Sequence, residues 1–170
     1  MNSDILPIIV IGFVMSYLVD ASKKKPKKDI QGNTILQLPS FYYLFGLALL
    51  IGGIGLILYL YIFDNHIDKK YGVLFGLFGI IPGALLYRKG YVSHIMINDL
   101  EINETTMLGN KNSIKWSEIQ TVSFSKMNKE IVIKSKDNTI KAHVHLVGFP
   151  QLVATIEAKT GKSVKNLIVY

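Results

Sequence analysis

His143 and His145 are one residue apart, so on a β-strand their imidazoles leave from the same face, with Lys141 beside them. Together with His94 they are the only start of a metal site in the chain. Such a site needs at least a third ligand of suitable geometry, and the chain has no cysteine. The pair therefore reads as a solvated polar face. Glu101 and Glu104 flank a turn, the spacing of an acid/base pair, but nothing around them in the sequence raises a carboxyl pKa, so both read as surface glutamates. No Gly-rich phosphate loop, nucleophile elbow or zinc-protease helix motif is present. The lack of cysteine also removes disulfides, iron–sulfur clusters and thiol nucleophiles. The expectation is a protein that is not an enzyme, with no metal and no cofactor.

The charges point to surfaces. Lys and Arg total 19 against 12 Asp and Glu, a net charge of +7, and Arg88 is the one arginine. Nucleic-acid readout favours the arginine fork and interleaved aromatics, so no nucleic acid is expected. From Arg88 onward twelve Lys or Arg stand against seven Asp or Glu. Lys23, Lys24, Lys25, Lys27 and Lys28 form a second basic cluster. Lysines beside a cytoplasmic membrane face attract anionic lipid at about 1 kcal/mol each; the plainer reading is that these five set the topology. Lys141, His143, His145 and the 23–28 lysines are the candidate lipid- or partner-binding residues.

Three apolar runs would position these charges. Ile5–Val19, Phe41–Phe63 and Tyr71–Tyr87 hold no charged residue. A helix crosses hydrocarbon with about 20 apolar residues, within a range of roughly 17–25. The second run fits, the third is at the lower limit and the first is short. A cleaved signal peptide does not suit the first run, because the basic residues follow it instead of preceding it. The positive-inside rule places 20–40 and 88–170 in the cytoplasm and the N-terminus and 64–70 outside. Asn103-Glu104-Thr105 is then a cytoplasmic sequon and is set aside. The expected location is the cell's inner (cytoplasmic) membrane, multi-pass.

No span carries an ionisable residue, which argues against a monomeric transporter or channel. Gly72, Gly76, Gly79 and Gly83 share one face of the third span, and Ala48, Gly52, Gly53 and Gly55 give the second a small patch. Small residues permit close helix packing in lipid, so the two spans are expected to form a tight hairpin. Pro82 is a candidate kink.

After Tyr91 the apolar period becomes two. Ile95 and Ile97 alternate before an Asn98-Asp99 turn, then Leu100 and Ile102. Ile114 and Trp116, Val122 and Phe124, and Ile131 and Ile133 follow as pairs. Ile140–Val147 is the clearest strand, with Lys141, His143 and His145 on its outer face. Pro150 suits a helix start and Gly161 its stop; Phe149, Leu152, Val153 and Ile156 form the apolar stripe between. Val164–Tyr170 reads as a last short strand. Thr34–Leu38 reads as a short strand or an interfacial stretch.

Ile114-Lys115-Trp116-Ser117-Glu118-Ile119, then Val122, Ile131-Val132-Ile133, a further strand and a closing helix resemble the bacterial pleckstrin-homology-like domains. Many of those follow two membrane helices, and the resemblance covers roughly residues 40–162. It implies an antiparallel sheet capped by a C-terminal helix and supplies no catalytic residue. The first span and the lysine cluster lie outside its pattern.

The expected fold class is therefore a membrane α-helical segment plus an α+β domain. Residues 1–20 are the first span, 21–40 a basic cytoplasmic linker, 41–89 a transmembrane hairpin and 90–170 a cytoplasmic pleckstrin-homology-like domain. The expected function is non-catalytic binding of a protein partner, a second copy or the anionic membrane surface. The alternative is a subunit, immunity or accessory protein of a transport, secretion or toxin system, docked through the glycine-lined hairpin.

Overall fold

A computed structural model describes residues 5–63 and 69–164. They fold into two compact units. The first contains α1 (Ile5–Lys23), β1 (Lys27–Lys28) and β2 (Thr34–Gln37), then β3 (His94–Ile97), β4 (Glu101–Thr105), β5 (Lys111–Lys115), β6 (Thr121–Ser125), β7 (Glu130–Lys134), β8 (Thr139–His143) and α4 (Phe149–Thr160). The second is the hairpin of α2 (Ser40–Phe63) and α3 (Lys69–Tyr91), with the turn 106–109.

In the first unit β1 to β5 make one antiparallel sheet and β6 to β8 a second, each strand pairing with the next. Residues 21–40 are thus more than a linker: β2 is a member of the sheet, pairing with β3 from Thr34↔Ile97 to Gln37↔His94. The chain leaves this sheet after Gln37 and re-enters it at that residue's own partner, so the helical hairpin is spliced between two neighbouring strands. Leu36 shows why the segment belongs there. It is fully buried while its neighbours Ile35 and Gln37 are only half-buried, as a strand with one covered face requires.

The core draws on both sheets and the closing helix. Leu36, Ile102, Ile114, Ile131, Ile133, Ile140, Leu152, Ile156 and Val164 are all buried below 2% exposure. Asn138 Nδ2 donates to Ser113 O at 3.1 Å, tying a turn of the second sheet to β5 of the first. Trp116 sits buried in the single 3-10 turn after β5 and donates from Nε1 to Asn98 O at 3.0 Å. Helix α4 begins beside Gly148 and ends at Gly161, both with positive φ (85° and 68°), where a side chain would be strained. Its buried stripe is Phe149, Leu152, Val153 and Ile156, as its sequence period predicts.

Two strand expectations change. Ile140–Val147 stops as a strand at His143, because the chain turns: Val144 N donates to Lys129 O at 3.0 Å, and Leu146 N to His143 O at 3.1 Å. Leu100 does not share the buried face of Ile102; it is 78% exposed. The Asn98 side chain accepts from both Leu100 N and Glu101 N (2.9 and 2.8 Å), which makes 98–100 an Asx-type turn. From residue 165 the expected last strand lies outside the described residues, as do Asp64 and Asp68.

In the second unit, Ser40–Ile62 and Tyr71–Tyr91 are long and apolar enough to cross a membrane. Their apolar side chains are mostly exposed, among them Leu44, Ile51, Leu58, Phe75, Phe78 and Ile81. Helix α3 runs unbroken through Pro82. The first apolar run is helical within α1, and the C-terminal end of that helix packs into the sheet unit, burying Leu18, Ala21 and Ser22.

Candidate functional site

The five lysines follow α1 directly. Lys23 ends the helix, Lys24 and Lys25 are exposed, and Lys27 and Lys28 form the edge strand β1, opposite Ile35 and Thr34. Charged lysines on an edge strand stay solvated and resist further strand pairing. Lys141 and His143 lie on β8, the edge of the second sheet, opposite Val132 and Glu130. His145 has left the strand. Its ring sits 4.9 Å from that of His143, and its backbone N–H donates to His143 Nδ1 at 3.2 Å. That Nδ1 is therefore an acceptor, and neutral His143 carries its proton on Nε2. His94 lies in the other sheet, with Nε2 3.3 Å from Thr105 Oγ1. Among the described residues no group of three His, Asp or Glu is placed to hold a metal.

Glu101 and Glu104 are three apart on β4 and so project from opposite faces. Hydrogen bonds from Ser113 and Asn103 hold the Glu101 carboxyl below its ordinary pKa. Glu104 shares the inner face of Ile102, and burial pushes its pKa up against the opposing help of Asn112 and Lys141. The two carboxyls do not converge on one substrate position.

The structure does form a groove that no single stretch of sequence contains. Its volume is about 600 Å³. One wall is the last turns of α1, with Met15, Val19, Ser22 and Lys23. A second is β6 and its turn, with Phe124, Lys126 and Lys129. The third is the turn after β8 with Val144 and His145, and the start of α4 with Phe149 and Pro150. Backbone hydrogen bonds stitch the walls: Val144 N to Lys129 O at 3.0 Å, and Gly148 N to Ser22 O at 2.9 Å. Gly148 is required at that junction. Its φ is +85°, and a Cβ there would stand 2.7 Å from Pro26 Cβ.

The groove is apolar within and positive in charge. Among the described residues none of Lys23, Lys126 and Lys129 has a carboxylate in ion-pair range. Burial lowers the His145 pKa, and Lys129 lowers it further, so His145 stays neutral near pH 7. Lys129 holds a left-handed backbone (φ 51°), uncommon for a residue other than Gly or Asn. Of the residues expected from sequence, Lys23 and His145 meet here; Lys24, Lys25, Lys27, Lys28, Lys141 and His143 do not line it. Lys126 and Lys129 were not foreseen, because the walls lie more than a hundred residues apart along the chain.

The glycine stripe acts inside the hairpin. A Cβ on Gly83 would stand 2.8 Å from Leu50 N and 2.9 Å from Gly46 O, one on Gly79 3.2 Å from Gly53 Cα, and one on Gly72 2.8 Å from Leu60 Cδ1. Gly76 meets Ile57 and Gly53 in the same way. The facing small residues on α2 are Gly46 and Gly53, seven apart. Gly52 and Gly55 face open space and Ala48 is exposed, so the expected patch on α2 is narrower and shifted. Helix α2 covers the stripe, which leaves it no free face for an outside partner.

Comparison of the chain with models of known families, with curated proteins and with solved structures returned no match.

Proposed function

We propose that this chain is a membrane-anchored, non-catalytic binding module. Helices α2 and α3 cross the bacterial cytoplasmic membrane as a hairpin, and the N-terminal part of α1 inserts into it beside the sheet unit. The sheet unit faces the cytoplasm as a pleckstrin-homology-like domain and engages the anionic membrane surface or a protein partner there. The observation that carries this reading is the splice of an apolar helical hairpin between paired strands β2 and β3. A folded domain held in that way stays within reach of the bilayer at all times. The order of elements supports the domain reading: β1 to β5 form one antiparallel sheet, β6 to β8 a second, and α4 follows them. The lysines after α1 supply the surface charge, at about 1 kcal/mol each beside anionic lipid.

The test uses the full chain in nanodiscs. Hydrogen exchange at residues 23–28 is expected to slow in phosphatidylglycerol discs relative to phosphatidylcholine discs, and Lys→Gln changes at 24, 25, 27 and 28 should remove the difference. Equal exchange in both lipids overturns the surface reading. A stoichiometric protein retained from native membranes in mild detergent would assign the domain to that partner. Single cysteines at Met127 and Asp137 should react only with membrane-permeant reagents; reaction from outside overturns the topology.

A further inference from the structure

The groove has a direction. Along α1 its lining runs Met15, Val19, Ser22, Lys23, and the spacings of four, three and one keep these on one helical side. Apolar residues come first and a cation last. Phe124 and Val144 extend the apolar wall, and Lys126 and Lys129 add two more cations with no described carboxylate to balance them. The matching occupant has an apolar body and an anionic end. At about 600 Å³ the groove lies in the range of roughly 300–1,000 Å³ that holds one small ligand. It has room for one alkyl chain with a small head and is too small for a two-chain phospholipid.

We infer that the groove binds one single-chain anionic lipid of the fatty-acid class, with its alkyl chain along Met15 and Val19 and its carboxylate among Lys23, Lys126 and Lys129. This rests on the membrane-anchored reading, in which α1 brings the groove to the bilayer surface where such lipids reside. Lysine suits the head because its ammonium acts as a point charge on a flexible stem, so three of them adapt to one small carboxylate. The apolar floor supplies most of the affinity, and the cations supply the preference for charge.

The test is photolabelling of the full chain in phosphatidylcholine nanodiscs with a diazirine analogue of palmitate. Labelled peptides should carry residues from 15–23, 124–129 and 144–150. Palmitate should displace the probe about tenfold better than hexadecanol, the uncharged molecule of the same chain length, since one charge-assisted contact is worth about that factor. Lys126→Gln with Lys129→Asn should keep the labelling and lose the preference; asparagine tolerates the left-handed backbone at 129. Val144→Trp, which fills the groove, should lose the labelling. Label confined to α2 and α3 overturns the site. Equal displacement by hexadecanol overturns the anionic ligand, and a crosslinked protein in the groove replaces the lipid by a protein partner. Exchange at residues 23–28 reads the anionic-surface proposal separately, so failure of one is distinguishable from failure of the other.

Discussion

Gly83→Ala isolates the contact that holds the helical hairpin. Its new methyl would stand 2.8 Å from Leu50 N, 2.9 Å from Gly46 O and 3.1 Å from Leu49 Cβ. Two of these three neighbours are backbone atoms, which cannot rotate away. The helices must separate by several tenths of an ångström, and overpacking of this kind costs about 1–3 kcal/mol. Alanine also favours a helix over glycine by up to about 1 kcal/mol in water, which partly masks the cost. Gly52→Ala is the control, because its Cβ meets nothing within 4 Å and carries the same propensity gain. Subtracting the two cancels propensity and leaves the overpacking alone, about 1–3 kcal/mol. The assay is reversible unfolding of the purified chain by SDS in mixed micelles, followed by circular dichroism. Gly83→Ala should unfold at lower SDS than Gly52→Ala. Coincident curves would refute the close packing of α2 on α3 and free the glycine stripe for another partner.

Three further outcomes follow from the sheet unit. Gly148→Ala combines a left-handed backbone with a 2.7 Å approach to Pro26; the backbone alone costs about 1–2 kcal/mol, so thermal unfolding should drop and exchange at 18–26 should rise. Trp116→Phe removes the donor to Asn98 O and should lower stability by about 1 kcal/mol in denaturant titration. Glu104→Gln tests the buried carboxyl. Because its folded pKa is raised, the folded state holds a proton over a window in which the unfolded chain has lost it. Stability therefore falls as pH rises through that window. The glutamine variant should be the more stable at neutral pH, and the two should converge below about pH 4, where both states of wild type are protonated. A gap that widens toward acid would reverse the assignment.

Much of the architecture was legible before folding, because it depends on local pattern. The two long apolar runs, the period-two strands after Tyr91 and the helix from Pro150 to the Gly161 stop with its buried stripe are set by residues within one element. The glycines at 72, 76, 79 and 83 fall on one face by spacing alone. Strand ends were less legible. The alternation through His145 continues to Val147 on paper, yet a hydrogen bond from Val144 to Lys129, fifteen residues back, turns the chain.

What the tertiary structure decided is which distant elements meet. Leu36 looks like part of a short stretch between two apolar runs; only its pairing with β3, across the whole inserted hairpin, makes it a core residue. Gly46, and not Ala48 or Gly55, faces α3, because helix rotation is fixed by the partner helix. Lys126 and Lys129 carry no motif and acquire meaning only when α1 and the turn after β8 close beside them. Sequence patterns report the period of a single element, whereas a groove is a property of three elements brought together by long-range contacts. The sequence by itself determined the elements, their buried faces and the excess of lysine. The packing decided where those lysines surround an apolar cavity.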